Sequence, residues 1–402
     1  MLTTRYLLGL FDGSEYDKIP YSVVECKEHI DEALKMARKS CVLLKNDGVL
    51  PIDKSKVNTI GVIGPNADSR AALIGNYHGT SSEYITVLEG IREEAGDDVR
   101  IIYSQGCDLY KDKVENLAWD QDRISEAVIT AENSDVVILC VGLNETLEGE
   151  EGDTGNSDAS GDKVDLHLPK VQEELIEKVT AVGKPTIVVL MAGSAIDLNY
   201  AQDNCNGILL AWYPGARGGR AIADLLFGKE SPSGKLPVTF YKDLEGMPEF
   251  TDYSMKNRTY RYMEKEALYP FGYGLTYSDT CVTEAEVVGE VSAESDIMLK
   301  ATVKNNGTVD TDEVVQVYIK DLDSPLAVRN YSLCGFKRVS LKAGEEKSVE
   351  FTISNKAMNI VDEDGNRYIA GKHFRLFAGV SQPDTRSAEL TGHKPAEVEI
   401  AL

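Results

Sequence analysis

The sequence predicts an α/β domain with a doubly wound, mostly parallel sheet (an α/β/α sandwich), followed by an all-β sandwich. Three observations lead to this prediction. In the first half, apolar runs rich in Val and Ile alternate with amphipathic stretches of helical spacing, which is typical of a parallel sheet covered on both faces. Residues 282–402 instead contain short runs of period-two alternation separated by turns. Between them, residues 236–281 are rich in Pro, Gly and Tyr, which indicates an ordered irregular connector.

The elements of the first domain, predicted to span residues 25–235, follow in order. Apolar positions from Ile30 to Leu44 recur at helical spacing, and Gly48 and Pro51 end that segment, so a helix is expected there. Further along, strands alternate with helices. The predicted strands are 59–63, 99–103, 136–141, 186–191 and 207–211, and the predicted helices are 87–95, 122–134, 170–182 and 219–227.

The remaining segments are predicted from turn signals and from composition. Asn306-Gly307 and Ala343-Gly344 separate β-rich runs, which indicates an antiparallel sandwich of the immunoglobulin or fibronectin type III kind over 282–402. Residues 236–281 are expected to wrap over the α/β domain. Residues 1–24 have amphipathic character without a neighbouring partner, so they are interpreted as the end of another unit plus a linker.

Composition excludes several classes of function. A formal net charge of -24 argues against nucleic acid or an anionic membrane as partner, because both attract positive surface. No apolar run reaches the length of a membrane span. The seven cysteines are scattered without paired spacing and read as thiols of a reducing compartment. The N-terminus lacks the features of a signal peptide, so we expect a cytoplasmic location.

A polar, strongly acidic loop follows the apolar run at residues 136–141. In open α/β sheets, functional loops leave the carboxyl ends of strands, so this loop is a candidate for acid/base chemistry or cation binding. A solvated surface insertion is the alternative interpretation. The acidic residues are Glu145, Glu148, Glu150, Glu151, Asp153, Asp158, Asp162 and Asp165.

The sequence predicts neither a metal nor a cofactor. The five histidines are isolated from one another, and the acidic loop lacks the regular spacing of an EF-hand. The turn at residues 213–219, YPGARGG, fits neither GxGxxG nor a P-loop, so it is interpreted as a tight strand-to-helix turn whose glycines allow close packing. Trp212, just before this turn, has two open interpretations: a core residue or a stacking face for a sugar ring.

Ordered matches to one enzyme family run through nearly the whole chain. The matching stretches are LGLFDG, ARKSCVLLKNDGVLPI, IGVIGPNADS, IGNYHG, LEGEEGD, LPKVQEELI, GKPTIVVLMAGSAIDL, LLAWYPGARGGRAIADLLFG, SPSGKLPVTF, NRTYRY, LYPFGYGLTY and NNGTVDTDEVVQVYI. In these stretches the sequence resembles the C-terminal part of family 3 glycoside hydrolases, the β-glucosidases and β-xylosidases. The resemblance implies an α/β sandwich and a fibronectin type III-like domain, with LGLFDG similar only to the closing segment of the family's TIM barrel.

The resemblance also implies catalytic roles. In such enzymes an aspartate on the barrel attacks the anomeric carbon, and a glutamate of the α/β sandwich protonates the leaving oxygen. The family's acid/base motif is similar to residues 149–153, GEEGD, which assigns the general acid/base to Glu150, with Glu148 as runner-up. No residue here matches the nucleophile's motif, so the implied partners are a barrel domain and a β-linked oligosaccharide or glycoside. The isolated chain is expected to be a poor glycosidase, and a non-catalytic carbohydrate-binding or assembly module is the alternative.

Overall fold

A computed structural model describes residues 1–119, 121–150, 161 and 163–402. Its helices are α1 (Leu2–Leu7), α2 (Lys27–Ser40), α3 (Ala71–Ile74), α4 (Val87–Ala95), α5 (Asp122–Glu132), α6 (Lys170–Thr180), α7 (Asn199–Asn204), α8 (Gly218–Leu226), α9 (Thr259–Tyr262) and α10 (Thr385–Thr391). Its strands are β1 (Val42–Asn46), β2 (Thr59–Ile63), β3 (Arg100–Ser104), β4 (Val136–Gly142), β5 (Thr186–Met191), β6 (Gly207–Leu210), β7 (Thr280–Val288), β8 (Ile297–Asn305), β9 (Thr311–Asp321), β10 (Ser332–Leu341), β11 (Glu346–Ile353), β12 (Asn359–Val361), β13 (Arg367–Ile369), β14 (His373–Gly379) and β15 (Ala396–Ala401).

The first domain is built on a six-stranded sheet of order β1-β6-β5-β4-β2-β3. The pairs from β3 through β6 are parallel, and only the edge strand β1 is antiparallel to its neighbour β6. Every residue of β4, β5 and β6 is buried, because helices cover both faces of the sheet. The predicted doubly wound, mostly parallel α/β/α sandwich is confirmed.

The predicted helix over residues 30–44 is wrong at its C-terminal end. The helix α2 ends at Ser40, and β1 begins at Val42 and pairs with β6 through Val42–Leu210 and Leu43–Leu209. The residues 41–44 form a continuous apolar run, and all four are almost completely buried. Such a run fits a strand enclosed on both faces, and periodicity alone does not separate it from the end of an amphipathic helix.

Two hydrophobic clusters lie on opposite faces of the sheet. One combines sheet residues with α5 and α6 and with buried residues of the segment 236–273, including Phe240 and Tyr273. The other combines sheet residues with α4 and α8. The N-terminus of α4 is fixed by a capping box, since the Thr86 hydroxyl accepts from Glu89 N and the Glu89 carboxylate accepts from Thr86 N.

Glycine allows α4 and α8 to approach closely. A Cβ on Gly219 would lie 1.8 Å from the carbonyl oxygen of Thr86, and one on Gly90 would lie 2.1 Å from that of Gly219. The glycine-rich turn at residues 213–219 therefore has the packing role predicted for it, because backbone of the neighbouring segment occupies the place of a side chain.

The second domain is a sandwich of two antiparallel sheets, β10-β9-β14-β15 and β11-β8-β7, with a separate β12-β13 hairpin. Alternating residues of β8 are buried, as the period-two pattern predicts. The core lies between the sheets. This architecture confirms the predicted all-β, fibronectin type III-like sandwich.

The segment 1–24 differs from both domains because its apolar side chains are largely exposed. The helix α1 contains no buried residue. Large apolar residues that face solvent here include Leu2, Tyr6, Leu7, Leu8, Leu10, Phe11, Tyr16 and Tyr21. Across the described chain, no helix combines the length and the apolarity needed to cross a membrane.

Candidate active site

The strand order of the parallel sheet reverses between β2 and β4. From β2 the chain moves outward to β3, and it then returns to the other side of β2 with β4. Such a reversal separates the loops that leave the carboxyl ends of the two central strands, and ligands of open α/β sheets bind there. Asn66, after β2, connects the two loops, since its Nδ2 donates to the carbonyl of Leu143 at 3.2 Å.

Glu148 is anchored inward at this edge by groups that follow two other strands. Its Oε2 accepts from the backbone N–H of Gly193, after β5, at 2.7 Å. The same oxygen accepts from the hydroxyl of Tyr213, after β6, at 2.5 Å. Glu148 therefore ties the acidic loop to the segments that follow β5 and β6.

A local turn directs the chain toward Glu148. The side-chain Oδ1 of Asn144 accepts from both the backbone N–H and the hydroxyl of Thr146, at 2.9 and 2.7 Å. The carbonyl of Asn144 then accepts from the backbone N–H of Glu148 at 2.9 Å. Asn suits such a turn because its short amide side chain bonds to backbone two residues on.

Glu150 occupies a different environment from Glu148. It is exposed, and its Oε2 accepts a hydrogen bond from the hydroxyl of Tyr77, which belongs to the loop after β2 and α3. Just before it, Gly149 N donates to the carbonyl of Gly161 at 3.1 Å, which holds the two ends of the loop together. The carboxyl of Glu150 is therefore accessible from solvent. Its role as general acid/base remains a prediction.

The pKa of Tyr213 lies well above its usual value. Burial is the main cause, and the negative charge of Glu148 and their shared hydrogen bond add to it. The protonated hydroxyl is therefore the donor in the hydrogen bond to Glu148. No sequence pattern indicated this role, because Tyr213 reads as part of a glycine-rich turn.

Lys163 is a cation beside this arrangement that the sequence did not single out. Its Nζ donates to the carbonyl of Ala195 at 2.8 Å. Burial lowers the pKa of Lys163, and the negative charges of Glu148 and Asp165 oppose that shift. Glu145, three residues before Glu148, and Ser194, next to Gly193, each have a buried side-chain oxygen, Oε2 and Oγ, with no hydrogen-bond partner among the described protein atoms. The edge thus retains unused polar capacity.

The contacts of Trp212 are packing contacts within the protein. Its indole Nε1 donates to the carbonyl of Ser40 at 3.1 Å. Its ring meets Phe240 edge-on, with centroids 6.5 Å apart, and it packs against the larger hydrophobic cluster. These contacts support the core interpretation, and stacking on a sugar remains a prediction.

Several predicted acidic residues lie outside the described residues: Glu151, Asp153, Asp158 and Asp162. Within the described ranges, no group of three or more His, Cys, Asp or Glu side chains is close enough together to hold a metal ion.

Comparisons with known proteins identify the class of protein that this fold and site define. Residues 41–277 match the model of the glycosyl hydrolase family 3 C-terminal domain. Residues 313–382 match the fibronectin type III-like domain. A β-xylosidase of Formosa agariphila is 36% identical over 97% of this chain, and a periplasmic β-glucosidase of Salmonella typhimurium is 31% identical over 94%. The chain therefore belongs to glycoside hydrolase family 3.

The extent of these matches defines which part of the family the chain represents. It covers 54% of the Formosa relative and 53% of the Salmonella relative, so it spans about half the length of these curated relatives. A solved β-glucosidase of Erythrobacter marinus superimposes with a TM-score of 0.80 at 32% identity, over 95% of this chain and 51% of that one. A solved family 3 exo-β-xylosidase, in complex with a xylobiose aziridine activity-based probe, gives a TM-score of 0.82 at 26% identity, over 98% of this chain and 52% of that one. The chain corresponds to the C-terminal region of such glycosidases.

Proposed function

We propose that this chain supplies the general acid/base, Glu150, of a retaining exo-β-glycosidase that removes terminal β-linked xylose or glucose. The attacking aspartate would come from a TIM-barrel domain outside this chain. The observation that carries the proposal is the contrast between two glutamates on one loop. The carboxyl of Glu150 is exposed and accepts from Tyr77, whereas the Glu148 carboxylate accepts from two donors that follow other strands.

The proposed chemistry needs a carboxyl group that can change its protonation state beside the scissile bond. Glu150 would give its proton to the glycosidic oxygen as the bond breaks, and it would then take a proton from the water that hydrolyses the glycosyl–enzyme intermediate. In retaining glycosidases the acid/base and the nucleophile lie about 5–5.5 Å apart, which leaves room for the sugar but not for a water between them. Tyr77, bonded to Glu150, would orient its carboxyl.

The need for a barrel partner is supported by the N-terminal segment. Residues 1–24 expose a series of large apolar side chains, and contiguous exposed apolar surface marks a contact with another protein surface. The chain's coverage of about half of each relative points the same way. We expect the isolated chain to be a poor glycosidase.

Complementation with a barrel domain tests the proposal. The chain would be co-expressed with the barrel half of the Formosa agariphila relative and assayed on aryl β-xylosides and aryl β-glucosides. Removal of a general acid typically lowers the rate by about 10²–10⁴-fold, so Glu150→Gln should lower kcat by this range for a phenol of high pKa and much less for a dinitrophenol. The activated phenol needs no proton to leave.

Glu148→Gln is the matched control, since it changes a neighbouring carboxylate of the same loop. It should leave the dependence on the leaving group unchanged. The opposite result would reassign the general acid to Glu148: Glu148→Gln would lose kcat on the phenol of high pKa but not on the dinitrophenol, and Glu150→Gln would not show this difference. Sugar binding without activity in any barrel complex would favour a non-catalytic module.

A cytoplasmic location also remains a proposal. The seven free thiols of this chain support it, because free thiols are typical of a reducing compartment. The description of one relative as periplasmic points the other way. Fractionation of the source cells, followed by immunodetection, would decide the compartment.

A further inference from the structure

A cleft lies between the segment that follows β3, the start of α5 and the first turns of α6. Its volume is about 480 Å³. Its lining includes Asp108, Lys113, Trp119, Gln121 and Glu174. Neither the packing of the domain nor the proposed acid/base chemistry uses this cleft.

Trp119 projects from the rim of the cleft and is 80% exposed. Its backbone is nevertheless fixed, because Trp119 N donates to Asp122 Oδ2 at 2.9 Å and Asp122 N donates to the carbonyl of Trp119 at 3.3 Å. A large aromatic ring held at a cleft mouth offers a flat apolar face beside polar groups. This is the combination that a sugar ring requires, with its apolar C–H face and its rim of hydroxyls.

The polar lining of the cleft contains donors and acceptors in mixture rather than one sign of charge. Both signs of charge line the cleft: the basic residues are Lys113, Arg123 and Lys170, and the acidic residues are Asp108, Asp112, Asp122 and Glu174. The amide Nε2 of Gln121 donates to Glu174 Oε1 at 2.5 Å, so the two side chains form one polar wall. Mixed polar groups with an aromatic surface suit a neutral polyhydroxyl ligand better than an anion or a cation.

A buried glutamine ties this cleft to the acidic loop. Gln172, on α6, is completely buried. Its Nε2 donates to the carbonyl of Leu109, in the segment after β3, at 2.6 Å, and to the carbonyl of Gly142, at the end of β4, at 2.8 Å. Its Oε1 accepts from Gly142 N at 2.8 Å. The cleft and the root of the Glu150 loop are therefore held together at the same edge of the sheet.

We propose that this cleft binds the leaving-group end of an oligosaccharide chain, with Trp119 as the stacking surface. The orientation rests on the proposed function, because the residue that protonates the glycosidic oxygen lies beside the leaving group and not beside the sugar that is cleaved off. The binding of carbohydrate at Trp119 does not depend on turnover. Trp119 would then favour longer chains over aryl glycosides.

Tryptophan fluorescence of the whole 402-residue chain tests the binding directly. The chain has only two tryptophans, Trp119 and Trp212. Titration with xylotetraose or cellotetraose should shift and quench the emission in the wild type and in Trp212→Phe. In Trp119→Ala, binding measured by calorimetry should be about tenfold weaker, since loss of one aromatic stacking contact is of that order.

Leu117→Ala is the matched control. Leu117 is 95% exposed in the same segment and does not line the cleft. It should bind both tetrasaccharides as the wild type does, and circular dichroism should show that all variants are folded. Unchanged affinity in Trp119→Ala, or no binding to the wild type at millimolar sugar, would overturn the proposal.

The barrel complex tests the orientation. Trp119→Ala should lower kcat/KM for xylotetraose about tenfold and leave kcat/KM for an aryl xyloside unchanged. An equal loss on both substrates would overturn the assignment to the leaving group. If no barrel complex is active while Trp119-dependent binding persists, the proposed function and the orientation both fail, and the cleft stands as a carbohydrate site.

Discussion

Two anchored glutamates, Glu313 at the junction of the domains and Glu148 at the carboxyl edge of the parallel sheet, have different surroundings. Glu313 is 1% exposed and pairs with the largely buried Lys235 at 2.8 Å. Its Oε1 also accepts from its neighbour Val314 N, and its Oε2 accepts from the Thr280 hydroxyl, each at 2.6 Å. Both oxygens of this carboxylate therefore have partners within the protein.

Glu148 is anchored by neutral donors, and some polar groups near it in the sequence have no hydrogen-bond partner. Its Oε2 alone receives both hydrogen bonds, from Gly193 and Tyr213. Glu145 and Ser194 each leave a buried oxygen without a partner among the described protein atoms. Burial of a carboxylate therefore does not by itself indicate a functional site. A saturated cluster stabilises the fold, whereas an unsaturated one at an open edge retains capacity for a ligand.

The largest expected effect is on the saturated cluster. Glu313→Ala should lower the free energy of unfolding by about 3–5 kcal/mol, because it leaves Lys235 buried without its counter-charge. The midpoint of urea unfolding measures this loss. Glu286→Gln, which removes an exposed pair with Lys300 in the same domain, should cost less than about 1 kcal/mol. If the two variants lowered the free energy of unfolding by similar amounts, the buried pair would not be more important to stability than the exposed one.

The open edge should respond differently. Tyr213→Phe removes one of the two donors to Glu148 Oε2 in a partly buried site and should cost about 1–3 kcal/mol in the free energy of unfolding. In a barrel complex its kcat should also fall, because the loop that carries Glu150 loses an anchor. Glu313→Ala, compared at a temperature where both are folded, should keep its kcat. A fall in kcat confined to Glu313→Ala would reverse the roles given to the two clusters.

Close backbone packing beside Tyr213 offers a further contrast with open surface. Gly219→Ala places a Cβ against the carbonyl of Thr86 and should destabilise the chain by about 1–3 kcal/mol, since α4 and α8 must move apart. Gly79→Ala is the control, because a Cβ added at Gly79 would meet nothing within 4 Å. Thermal unfolding compares the two. A stable Gly219→Ala variant would show that this turn is not held by close packing.

The smallest expected effect is a pH dependence at the exposed end of the acidic loop. The hydrogen bond from His167 to Glu173, at 2.8 Å, raises the pKa of His167. Because this pKa is higher in the folded chain, the stabilisation is fully present below the unfolded value of about 6.5 and is lost as the pH rises through the folded value.

His167→Gln should therefore cost more at pH 5 than at pH 8.5, by less than about 1 kcal/mol because solvent screens the pair. Urea unfolding of His167→Gln and of Glu173→Gln at both pH values measures this difference, and the two variants should agree. A cost that rises with pH would contradict the assignment.

The sequence alone determined the fold class and the identity of the candidate loop. Apolar runs such as residues 136–141 and the alternation along β8 report local burial, which depends only on neighbouring residues and their periodicity. Residues 41–44 show where prediction from local pattern fails. The same apolar run is compatible with the end of an amphipathic helix and with a strand that is buried on both faces.

Only the tertiary structure decided how Glu148 and Glu150 differ. They are two residues apart on one acidic loop, and nothing in their local sequence distinguishes an anchored carboxylate from an accessible one. The difference arises from Gly193 and Tyr213, which follow other strands and reach Glu148 because parallel strands bring their carboxyl ends to one edge. Hydrogen-bond partners this far apart in sequence are set by the packing of the sheet, which no local pattern encodes.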